Sequence, residues 1–226
     1  GGMKQFAFER HRAAILVGVL IAIKIIILFI FAWHSRFVMD EFGQLGWAKY
    51  LGHGLFDTIW HAKAVGGAVF YKLAHLIGWN ATSILLIGRI QTALLACVTL
   101  TIVYGCARAI GNDRMRSLVI VLVLLCFSNF MERIFRTIAE PLALFFAAAA
   151  LLVVLRGRAD QARTVIVAGM LSGLSFLATQ KAVYFNVALG LALVGHAALA
   201  RQYVDAVKRG GWLVLGWALP IVAYCF

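Results

Sequence analysis

Charge is what this sequence has least of. Only 13% of its 226 residues are Asp, Glu, Lys or Arg, against about 25% in an ordinary soluble domain, while 63% are hydrophobic, against about 45–50%. A chain this poor in charge has too little polar surface to solvate an apolar core, and it reads as an integral membrane protein. A Pro/Ser-rich linker is missing, so no soluble domain is marked off, and no internal repeat is visible. Residues 1–226 therefore read as a single transmembrane module. Cysteine motifs are missing as well. Cys97, Cys106, Cys126 and Cys225 lie inside apolar runs, and none forms CxxC or has a His at metal-ligand spacing. They read as small apolar filler. Acids are scarcer than bases, which leaves a formal net charge of +12. In a soluble protein that excess would point to nucleic acid. Here Lys and Arg sit in short clusters between apolar runs, as membrane helices are flanked. No basic patch is interleaved with stacking aromatics, so nucleic acid is set aside as a partner.

What is present is a series of apolar runs. About 20 apolar residues are needed to cross a bilayer as a helix. Runs at 13–33, 82–107, 117–130, 141–155, 164–178, 182–200 and 212–226 qualify or nearly do. The expected fold is all-α and membrane-integral, with about six to seven transmembrane helices. Pro141 suits a first helical turn. The first run is too long for a secretion-signal core of about 7–15 residues and has no small-residue cleavage site, so it reads as an uncleaved span. The last run ends at Phe226 without a polar tail, and the chain reads as the front part of a longer protein.

Charge sets the expected orientation. With the N-terminus inside, basic clusters recur at every second connection: Lys4, Arg10 and Arg12; Arg108, Arg114 and Arg116; Arg156, Arg158 and Arg163; Arg201, Lys208 and Arg209. That pattern favours a cytoplasmic N-terminus. The long loop at 35–81 is then outside. Its segments "EFGQLGWAKYLGHG" and "AVGGAVFYKLAHLIGWN" read as amphipathic helices lying at the interface, joined by a turn-like "LFDTIWHAK".

The polar residues that are costly near a membrane fall on that same outer side. Asp40 and Glu41 follow the first span. Arg89 opens the second. "MERIFRTIAEP" carries Glu132, Arg133, Arg136 and Glu140, and "ATQKAVYF" carries Gln180 and Lys181. Charges in such positions usually face a cavity, a partner or a pathway. Arginine forks suit phosphate oxygens, and Lys supplies a point charge. A carboxylate serves as general base on an acceptor hydroxyl or as a metal ligand, so a divalent metal stays open. Blander roles exist for each: Arg133 and Arg136 can snorkel to head groups, and Asp40, Glu41 and Glu140 can favour helix N-termini. His34, His53, His61 and His75 are spread too irregularly to build a metal site.

The order of these motifs resembles the glycosyltransferase C superfamily, the multi-span transferases that use polyprenyl-phosphate sugars. The likeness is strongest to the protein-mannosyltransferase and aminoarabinose-transferase branch. The acidic "MDE" after the first span, "AVFYKLAHLIGWNATSILLIGR" ending in Arg89, "RIFRTIAEPLALF" at the fourth span and "GLSFLATQKAVYF" with Lys181 carry it. The Pro-rich element that usually precedes the aromatic pair is "AVGGAVF" here, and the usual Lys-Gly is Lys-Ala. The resemblance implies a membrane lipid carrying the sugar donor and a glycan, lipid or protein acceptor. It implies Asp40 and Glu41 as the catalytic carboxylates, and Arg89, Arg133, Arg136, Glu140 and Lys181 as substrate-binding groups. It also implies an inverting transfer at the periplasmic or extracellular face of a bacterial inner membrane, within the cell envelope. A transporter or lipid flippase, and a non-catalytic scaffold, are the competing readings. They differ in whether the outer charges converge on one cavity.

Overall fold

The structure, a computed structural model, describes residues 2–51, 66–158 and 160–225. The turn expected at 55–63, with Asp57 and His61, lies outside the described residues, as does His53. Among the described residues every regular element is helical. In chain order they are α1 (Gly2–His34), α2 (Met39–Tyr50), α3 (Gly66–Ile77), α4 (Ala81–Ala109), α5 (Arg114–Cys126) and α6 (Ser128–Arg133), then α7 (Ala139–Arg156), α8 (Ala162–Ala178), a 3-10 turn (Gln180–Ala182), α9 (Val183–Leu199) and α10 (Tyr203–Cys225).

Local chemistry explains most boundaries. Asn80 caps α4: its Oδ1 accepts the Ser83 N–H at 2.8 Å, and Ser83 Oγ accepts the Asn80 N–H at 3.0 Å. Asp113 caps α5 by accepting the Arg116 N–H at 2.8 Å. Pro141 does sit in the first turn of α7, where a missing donor costs no helical bond. The two helices expected in the outer loop are α2 and α3, which pack on each other through Leu45, Ala48, Ala68, Tyr71 and Ala74. Lys72 donates to the Lys49 and Leu51 carbonyls at the end of α2, at 3.3 and 3.1 Å.

Four described stretches are long and apolar enough to cross a membrane: His11–His34, Ala81–Ala109, Ala139–Arg156 and Gln180–Leu199. Of the other three expected runs, the one at 164–178 is a helix at the expected place but short of spanning length, and the other two differ in extent. The run at 117–130 is not one helix. It breaks at Phe127, whose backbone is extended, so α5 has only 13 residues and α6 is a separate short helix. α8 is apolar but has 17 residues. α10 begins nine residues before the expected 212, and so takes in Asp205, Lys208 and Arg209.

Helix packing follows the small residues. One core joins Leu28 and Ala32 of α1, Ala93, Ala96 and Leu100 of α4, Val121 and Leu125 of α5, and Phe135. α8 and α10 touch backbone to backbone: a Cβ at Gly169 or Gly216 would collide with the Leu213 or Ile166 carbonyl. Without a hydrophobic drive between helices in lipid, such close approach supplies the attraction. α4 and α7 run parallel, since Gly88 meets Thr137 at one end and Gly105 meets Leu152 near the other. The C-terminus of α1, helices α2 and α3, the N-termini of α4 and α7 and the C-terminus of α8 therefore gather at one end of the bundle.

Candidate functional site

The gathering point is organised by Glu41. It is the third residue of α2, and helical spacing turns Glu41, Gln44, Leu45 and Ala48 inward. Glu41 is 0% exposed and meets Arg89, 1% exposed, reaching from α4. Arg89 Nε and Nη2 donate to the two carboxylate oxygens at 2.8 and 2.7 Å, a bidentate fork. The rest of the guanidinium is spent on the end of α1. Nη1 donates to the Ser35 and Ala32 carbonyls at 2.7 and 3.4 Å, and Nη2 to the Arg36 carbonyl at 3.0 Å. A cation there answers both the orphan carbonyls and the negative end of the helix dipole.

The carboxylate has further donors. Val38 N–H bonds Oε2 at 3.2 Å, and Thr137 N–H bonds Oε1 at 3.3 Å. Arg136 Nη1 stands 3.5 Å from Oε2, donates to the Arg36 carbonyl at 3.2 Å, and sends Nη2 to Glu132 at 3.3 Å. Burial alone would push the Glu41 carboxyl up. The Arg89 hydrogen bonds and charge, with the Thr137 and Val38 N–H groups, outweigh it and hold the carboxyl below its ordinary range. Tyr71 closes the floor. Its buried hydroxyl donates to the Ile138 carbonyl at 2.9 Å and lies 3.0 Å from Thr92 Oγ1. Burial pushes that phenol up, so it stays a donor.

Beside this buried knot lies an open cleft of about 370 Å³. α2 supplies Met39, Asp40, Gly43 and Trp47, with Gln44 at its inner edge. The start of α7 supplies Ile138, Ala139 and Glu140, and the α8 end with its 3-10 turn supplies Ala178, Thr179, Gln180 and Lys181. Asp40 is exposed, and its carboxylate makes no hydrogen bond or ion pair among the described residues. Lys181 pairs with Glu140 at 2.7 Å. Gln44 is buried, and its Oε1 accepts no hydrogen bond among the described residues. Such an orphan is costly unless a ligand or water answers it.

Three of the seven expected site residues, Asp40, Glu140 and Lys181, thus share one cleft. Four do not line it. Arg89 was expected to face substrate, but it is enclosed and all its donors are engaged by protein. Glu41 was expected to act beside Asp40, but it is enclosed with Arg89. The adjacent carboxylates point to opposite faces because successive helical residues are about 100° apart. Arg136 lies on the far side of Glu41, against Glu132 and the Phe135 ring. Arg133 is exposed, and its charge acts on Glu140.

Sequence reasoning did not single out Tyr71, Thr137, Gln44 or Trp47. The last two were within reach, since they stand four and seven residues after Asp40 on one helix. No group of three or more His, Cys, Asp or Glu among the described residues could hold a metal. A divalent ion in the cleft would have Asp40 and Glu140 as its carboxylate ligands there. Comparison of the chain with protein-family models, curated protein sequences and solved structures gives no match.

Proposed function

We propose that the chain is the membrane module of a glycosyltransferase of the C superfamily. It moves a sugar from a polyprenyl-phosphate donor to a hydroxyl on a glycan, lipid or protein acceptor, at the non-cytoplasmic end of the bundle. The observation that carries this reading is the cleft. An unpartnered carboxylate, Asp40, shares a membrane-edge pocket with Lys181, Glu140 and the Trp47 ring, while its neighbour Glu41 fixes the backbone behind it.

In this reading Asp40 takes the acceptor hydroxyl proton as the oxygen attacks the anomeric carbon. The bond from that carbon to the phosphate oxygen breaks, and the electron pair leaves with the polyprenyl phosphate. The configuration at the carbon inverts. Lys181, released from Glu140, and the exposed Arg133 are the cations within reach of the leaving phosphate. Arg136 contributes by holding the turn at 134–138. Trp47 offers an aromatic wall for a sugar face.

A seven-crossing topology fits the packing. α4 and α7 are parallel, so α5 must return between them despite its length, and α8 must return between α7 and the stretch Gln180–Leu199. The basic connections after α4, α7 and α9 then share one side, which supports a cytoplasmic N-terminus. The exposed Met39, Phe42, Leu73, Leu76 and Trp79 of the outer helices and the turn after them suit the head-group region.

The test is label transfer from a panel of polyprenyl-phosphate sugars by the purified full chain. Transfer to an acceptor, with free polyprenyl phosphate released in equal amount, supports the reading. Movement of intact lipid across reconstituted vesicles without bond cleavage would replace it with the flippase reading.

A further inference from the structure

A second cavity, of about 540 Å³, opens between α1 and the α5–α6 break. We infer that it holds the anionic head group of a membrane phospholipid, paired with Lys24. None of its lining residues lines the Asp40 cleft, so the inference is independent of the transferase reading.

The cavity has a physical origin. α5 is 13 residues long, about 20 Å, against a hydrocarbon core of about 30 Å. It stops short at Phe127, and α6 with the turn after it lines the space beside the upper part of α1 without filling it, among the described residues. Ile27, Phe31, Leu125 and Phe135 form apolar walls suited to methylenes. Lys24 lies at the deep end, ten residues before His34 or about 15 Å along the helix. It belongs to the most apolar of the four spans.

Lysine inside a span costs about 2.5–3.5 kcal/mol on insertion scales and calls for a partner. Lys24 is half-buried and has no ion pair or hydrogen bond among the described residues. The one acid in the same cavity, Glu132, is held by Arg136 at 3.3 Å. The missing partner is therefore an anion that comes with the membrane. Its size follows from the void, which lies in the range of ligand pockets, about 300–1,000 Å³. A partner helix, about 10–12 Å across, is too thick to enter between α1 and α5, which already share a core. The flexible stem carries the Lys24 ammonium part of the way toward the interface, and the head group dips into the cavity to meet it. The Ser35 and Ser128 hydroxyls, nearer the mouth, can donate to head-group oxygens above the phosphate.

The experiment places the purified full chain in nanodiscs of phosphatidylcholine, with or without phosphatidylglycerol, and counts retained lipid by native mass spectrometry. Wild type should retain phosphatidylglycerol over phosphatidylcholine by about tenfold or more: both offer phosphate oxygens, but only phosphatidylglycerol leaves a net charge for Lys24 to neutralise, a difference on the scale of one charge-assisted hydrogen bond. Lys24→Arg should keep the preference and Lys24→Met should lose it. Unfolding temperature in pure phosphatidylcholine checks that Lys24→Met is folded. Equal retention of the two lipids by wild type, or an unchanged preference in folded Lys24→Met, overturns the inference. Inorganic phosphate alone separates the sources: if it stabilises wild type and strips bound lipid, the site is an ion site and the lipid assignment fails.

Discussion

Removing Glu41 should unfold the protein at markedly lower temperature, while removing its neighbour should not. In Glu41→Ala the Arg89 guanidinium stays enclosed by α1, α2 and α4 with three carbonyls but no counter-charge. Breaking a buried pair by deleting one partner costs about 3–5 kcal/mol, because an uncompensated charge remains. Total stability of a domain is only about 5–15 kcal/mol. At about 2–4 °C per kcal/mol for a chain of this size, the midpoint should fall by roughly 6–20 °C. Asp40→Ala removes an exposed carboxylate without a partner and should stay within about 0.5 kcal/mol of wild type. Tryptophan fluorescence during heating in detergent reads both. A double variant, Glu41→Leu with Arg89→Met, should recover much of the loss, since apolar groups of similar volume replace a buried pair at little cost. If Glu41→Ala shifts by less than 1 °C, or Asp40→Ala shifts as much as Glu41→Ala, the assignment of the two carboxylates to structure and chemistry is wrong.

The pH dependence follows from the same pair. Glu41 has a folded value held below its unfolded reference of 4.5, so its contribution is complete above that pH and is lost as pH falls through the lower folded value; wild-type stability should drop below about pH 4.5, and Glu41→Gln should flatten that limb. Tyr71→Phe leaves the Ile138 carbonyl without its donor and should cost about 1–3 kcal/mol of unfolding free energy by the same assay. A cysteine at the exposed Trp79, in a background without native cysteines, should react with an impermeant maleimide only from outside the cell, and one at Asn112 only from the cytoplasmic side; the reverse pattern would invert the topology.

Much of the membrane architecture was legible because hydropathy is a local property. The first, second, fourth, fifth and sixth runs emerged as helices, and the half-polar segments after the first became α2 and α3. The break at Phe127 was not legible: residues 117–130 are continuously apolar apart from Ser117, Ser128 and Asn129, and hydropathy does not register one extended residue between two helices. The site was legible only as a gathering at one end of the bundle. Asp40, Glu140 and Lys181 do meet, but the fate of Glu41 depended on Arg89, 48 residues away. A pairing at that separation leaves no periodic trace. The inward spacing of Glu41, Gln44, Leu45 and Ala48 was the one local sign that the two adjacent acids part company.

The central claim is that Asp40 is the general base of a sugar transfer. Its most direct test is turnover of the Asp40→Asn variant with a polyprenyl-phosphate sugar that the wild type uses, measured with unfolding temperature alongside. The amide keeps the shape and cannot take the proton. Turnover should fall by about 100- to 10,000-fold with the unfolding midpoint unchanged. Turnover within a few-fold of wild type would contradict the claim and return the cleft to a binding or structural role.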